Sequence, residues 1–86
     1  MTDEELEKAE RGVKNRWSYA VHCQKLCQRG GGDTDRALYQ YGVALGYVEA
    51  VIDLIAANHG TIFAEAIVRD WIDDVEERED ERLIWE

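Results

Sequence analysis

The chain contains no proline, two cysteines, one serine and one phenylalanine in 86 residues. Proline interrupts helix interiors, so its absence leaves long unbroken helices open. Small secreted domains are held by several disulfides. Cys23 and Cys27, four residues apart on one predicted helix, supply no such framework, and the reading is a cytoplasmic protein with reduced thiols. Ser18 is the only serine, and no nucleophile–base constellation, phosphate loop or metal-ligand spacing accompanies it. Positive charge is also scarce: Lys and Arg number 10 against 19 Asp and Glu, for a formal net charge of −9. That excess argues against direct contact with nucleic acid or an anionic membrane, because both repel it. A protein partner with a basic surface is compatible with it.

Long uninterrupted apolar runs are missing too. The N-terminal "MTDEELEKAERG" lacks the apolar centre of a signal peptide. The most apolar run, residues 37–57, contains Gln40, Glu49 and Asp53. Charges are costly within a bilayer, so this segment reads as a core helix and not as a membrane span.

What the chain does contain is helical periodicity. "TDEE" at residues 2–5 matches a capping box. From it Leu6, Ala9, Val13, Trp17, Ala20, Val21 and Cys27 recur at helical spacing. The spacing predicts a helix over about 3–29, ended by the three glycines of "QRGGGD". A second helix, about 34–57, is capped by Asp33 or Thr34. Leu38, Tyr41, Leu45, Val48, Ile52 and Ile55 form one of its stripes, and Val43, Tyr47, Ala50, Val51 and Leu54 a second. It is apolar over most of its circumference, which implies burial on more than one side. "ANHG" closes it, and a third helix, about 62–82, presents Phe63, Ala64, Ile67, Val68, Trp71, Ile72 and Val75. Short connections make consecutive helices antiparallel. The expected fold is therefore all-α: a single domain comprising an antiparallel helical hairpin plus a third helix, in a three-helix bundle. Two helices cover only part of a third, so both a monomer and a twofold homodimer stay open.

Four features are candidates for function. Gly42 and Gly46 weaken the second helix unless a side chain there would clash. In a hairpin paired about the glycine loop they fall opposite Ala20 and Arg16–Trp17. They are expected to make room for the Trp17 ring or, with Tyr47 and Leu54, to form a dimer contact. On the same register Glu49 meets Arg16, and Asp53 meets Lys8 or Gly12. Cys23 and Cys27 share a helix face, but His22 points away from it and His59 lies at the far end of the second helix. They are expected to be small apolar packing residues, with no metal and no cofactor. Tyr19 and Tyr39 lie off the main stripes and are candidates for an exposed contact surface.

The fourth feature is the acidic block. From His59 to Glu86 there are ten acids and three arginines, net −7, whereas residues 1–29 carry net +1. Asp70, Asp73, Asp74, Glu76, Glu77, Glu79, Asp80 and Glu81 are the candidate partner-binding acids, with Trp71 and Trp85 as apolar anchors. Spaced carboxylates on a helix can imitate a nucleic-acid backbone, and a large aromatic beside them can lock a complex. The plain alternative is a solvated face that only confers solubility. In size and charge the chain resembles small acidic phage-encoded antagonists of host defence, such as anti-CRISPR and anti-restriction proteins, although no motif carries that resemblance. It implies a non-enzymatic inhibitor occupying a basic, nucleic-acid-binding surface. The rival expectation is an assembly module, a helical homodimer with a solubilising acidic face. A thiol- or metal-responsive regulator built on Cys23 and Cys27 is a third class.

Overall fold

A computed structural model of the chain describes the backbone of residues 1–85 and the side chains of residues 1–78. It is a bundle of three helices: α1 (Asp3–Gln28), α2 (Thr34–His59) and α3 (Thr61–Trp85). Every pair of helices is in contact. No strand occurs among the described residues.

Local chemistry sets the helix ends. The Thr2 hydroxyl oxygen accepts from the Glu5 amide at 3.2 Å and donates to the Glu5 carboxylate at 3.1 Å. This satisfies an amide that the first turn leaves unpaired. Asp3, Glu4 and Glu5 face the positive end of the helix dipole. At the other end, Gly30 takes φ +78°, and the amides of Gly30 and Gly31 donate to the carbonyls of Cys27 and Leu26. A left-handed residue with these two bonds is a Schellman stop. Asp33 caps α2 by accepting from the amides of Asp35 and Arg36. Gly60, at φ +90°, is the whole connection to α3: its amide donates to Ala56 and its carbonyl accepts from Ala64. A one-residue turn of this hand admits only a residue without a Cβ at low cost.

The core collects Ala9, Val13, Trp17, Ala20 and Val21 from α1, Ala44, Val48, Val51 and Ile55 from α2, and Ala64, Val68, Trp71 and Val75 from α3. Small residues dominate, so the helices approach closely. At Gly12 the Tyr47 side chain of α2 lies close against the α1 backbone. A Cβ there would lie 2.9 Å from Cζ of Tyr47 and closer still to its hydroxyl. The Tyr47 ring is also covered by the Arg16 guanidinium, 4.1 Å from its centroid.

The face of α2 turned inward differs from the expected one. Trp17 packs against Tyr41, with centroids 5.7 Å apart, and not over Gly42 and Gly46. A Cβ at either glycine would meet no atom within 4 Å. The expectation that they make room for Trp17 is thereby corrected. The pairing of Glu49 with Arg16 is replaced by Tyr47 over Arg16, and Gly12 likewise meets Tyr47 and not Asp53. The cause is that α2 must face α1 and α3 at once. The strip through Ala44, Val48, Val51 and Ile55 does so, which turns the glycines outward.

Candidate functional site

α3 carries its buried residues at Ala64, Val68, Trp71 and Val75, a spacing that keeps them on one face. The described acids from Asp70 onward divide into two groups by their position around that face. Asp74 accepts from Lys14 Nζ at 3.0 Å and pairs with Arg78 at 2.8 Å. Lys14 also pairs with Glu10, one turn before it, at 2.9 Å. Hydrogen bonding to Glu10 and then to Asp74 holds the Lys14 ammonium above its ordinary 10.5. The hydrogen bond from Lys14 holds the Asp74 carboxyl below its ordinary 3.8. Glu76 accepts from Nε1 of Trp17 at 3.3 Å. Two of the eight candidate acids therefore tie α3 to α1.

Asp70, Asp73 and Glu77 form the other group. All three are exposed, and among the described residues none of their side chains has an ion-pair or hydrogen-bond partner. Their i, i+3, i+7 spacing puts them in one row on the side of α3 away from the core. The row is about 10 Å long at 1.5 Å per residue. Trp71, proposed from sequence as an anchor, is 6% exposed and belongs to the core. The calls on Glu79, Asp80, Glu81 and Trp85 lie outside the described side chains.

A second surface lies on α2. Tyr39, Val43 and Leu54 are 67%, 41% and 55% exposed. Gly42, Gly46 and Ala50 lie between them, also exposed. Tyr47, grouped with these residues from sequence, instead packs inside the chain on Gly12 and Arg16. By length and composition α2 is apolar enough to cross a membrane; here it packs against both α1 and α3. Tyr19 and Tyr39 are both exposed, and Tyr19 Oη accepts from Arg36 at 2.6 Å.

The cysteines are free and half-buried. Cys27 lines an open groove of about 470 Å³ with Gln24, Ala37, Leu38 and Tyr41. Cys23 and His22 line another of about 310 Å³ with Tyr19, Asp33 and Arg36. Nδ1 of His22 is buried without a hydrogen-bond partner among the described residues. Among the described residues no three His, Cys, Asp or Glu side chains converge to hold a metal ion.

The Lys14–Asp74 and Trp17–Glu76 contacts were not anticipated. They join residues 60 and 59 positions apart, so no local spacing reveals them. The available signal was positional: Lys14 follows Val13 and precedes Trp17 by three, so it sits at the border of the buried stripe. No family model matches the chain, nor does any curated protein or solved structure.

Proposed function

We propose that this chain is a small non-enzymatic binding protein that docks onto a basic surface of a protein partner through the outward acidic row of α3. One observation carries the reading. Among the described residues Asp70, Asp73 and Glu77 are left without a cation, while Asp74 in the same helix has two. Asp74 and Glu76 are engaged with α1, and these three are directed at whatever approaches from outside.

The mechanism is electrostatic. A chain of net charge −9 attracts a positive surface over a Debye length and orients it towards the end that carries the excess. Complementary charge raises the encounter rate and rejects wrong partners more than it adds raw affinity. Where the basic surface normally grips nucleic acid, the protein acts as a competitive inhibitor, the mode of the small phage-encoded antagonists it resembles in size and charge.

The test is capture from the source cell with the wild type and with the Asp70→Asn, Asp73→Asn, Glu77→Gln triple variant. The reading expects a basic protein retained by the wild type, released by salt and lost with the variant. Equal retention by both, or indifference to salt, overturns it. A second reading, an assembly module whose acids confer solubility, is favoured by the exposed apolar residues of α2; it expects the triple variant to behave as wild type.

A further inference from the structure

We propose that two copies of this chain pair through the outer face of α2, antiparallel about a twofold axis near Gly46. This deepens the assembly reading, rests on it, and is independent of the acidic row.

The first argument is surface. Among the described residues nine large hydrophobics are exposed and six of them are on α2, with Tyr39, Val43 and Leu54 on its outer face. Single exposed apolar side chains are ordinary, but such a concentration on one helix marks an interaction surface.

The second argument is shape. From Tyr39 to Leu54 the face runs about 22 Å, with Gly46 near its middle and open space where a Cβ would stand. Nothing inside the chain requires glycine there. A second helix crossing at that point does, because backbones approach most closely where side chains are smallest.

The third argument is complementarity. With the axis at Gly46, residue 39 of one copy faces residue 53 of the other. The Tyr39 hydroxyl then reaches the partner's Asp53, and Arg36 lies within one turn of it. Arg36 is already steadied by Tyr19, and the twofold repeats each contact. Between Arg36 and Asp53 the only charged residue is Glu49, at the edge of the face. Glu49 and Asp53 also favour a second copy over lipid as the occupant, since charges deep in a bilayer are costly.

The test is sedimentation of the full chain at micromolar concentration. The wild type is expected to be a dimer. Gly46→Leu fills open space in the monomer, so it folds, yet it blocks the crossing. Leu54→Glu charges the face. Each is expected to lower the association constant roughly 100-fold, because a lost apolar contact counts twice across the axis. The triple amide variant of α3 is expected to remain dimeric. In a Cys23→Ala, Cys27→Ala background, Gly46→Cys is expected to form an intermolecular disulfide on mild oxidation. A dimer that survives both Gly46→Leu and Leu54→Glu leaves the assembly reading standing and overturns pairing through α2. A monomeric wild type overturns both, as does a monomer that floats with neutral phosphatidylcholine vesicles.

Discussion

Gly12 and Gly46 offer one substitution with opposite expected outcomes. Both sit inside helices, where replacing glycine by alanine stabilises by about 0.5–1 kcal/mol through backbone entropy. At Gly46 a Cβ meets nothing within 4 Å, so Gly46→Ala should show the full gain. At Gly12 the same methyl would meet the Tyr47 ring, with Cζ at 2.9 Å and Cε1 at 3.1 Å. The ring must move, and moving it disturbs the Arg16 guanidinium 4.1 Å from its centroid. Overpacking costs about 1–3 kcal/mol, and an exposed cation–π contact about 0.5–1 kcal/mol. Gly12→Ala should therefore be destabilising by about 0.5–3.5 kcal/mol after the helix gain is subtracted.

A double-mutant cycle isolates the cause. In a Tyr47→Ala background the obstacle is gone, and Gly12→Ala should stabilise by the helix term alone, about 0.5–1 kcal/mol. The coupling between positions 12 and 47 is then about 1.5–4 kcal/mol. Urea unfolding followed by circular dichroism measures each corner, at dilution low enough to hold any dimer dissociated, since association would add to apparent stability. If Gly12→Ala stabilises equally with and without Tyr47, the Tyr47 ring is not where the structure places it.

Three further outcomes follow from the same contacts. The Lys14–Asp74 pair should stabilise the fold over a defined pH window. Asp74 is depressed when folded, so its contribution is present above its ordinary 3.8 and lost as pH falls through the lower folded value. Lys14 is raised, so its share is present below 10.5 and lost as pH climbs through the higher folded value. The stability difference between wild type and Asp74→Asn, followed by thermal melting, should therefore be flat at neutral pH and shrink at both extremes; a difference that persists unchanged in strong acid contradicts the pairing. Trp17→Ala should cost about 3–5 kcal/mol as a buried-ring deletion, a large share of the 5–15 kcal/mol typical of a domain, and urea denaturation reads it directly. Tyr39→Ala, by contrast, should leave monomer stability within about 0.5 kcal/mol, because its ring stands 67% exposed.

The all-α bundle was legible because each helix announces its own ends. Thr2 and Asp33 are capping residues, the glycines at 30 and 60 turn left-handed, and no proline intervenes. On α1 the buried face was legible as well, since Ala9, Val13, Trp17, Ala20 and Val21 alternate with charge. On α2 it was not. A helix apolar nearly all round has no polar stripe to say which side meets solvent, so Leu38 and Leu45 read as core although both are exposed, and Ala44, which is fully buried, drew no notice. The same ambiguity placed Trp17 over Gly42 and Gly46. On α3 composition showed that acid was concentrated there but not how it was shared. The division between Asp74, held by Lys14, and Asp73, without a partner among the described residues, depends on where α1 lies.

Two surfaces with opposite physics thus sit on different helices, and salt separates them. Docking through Asp70, Asp73 and Glu77 is an attraction between unlike charges, so rising ionic strength weakens it. Pairing of two chains that each carry net charge −9 through an apolar face works against a repulsion, so the same salt relieves it. The dimer should hold or tighten where the complex with a basic partner dissociates. A single salt series, read once for self-association and once for partner capture, assigns each event to its face: an association that salt dissolves belongs to α3, and one that salt preserves belongs to α2.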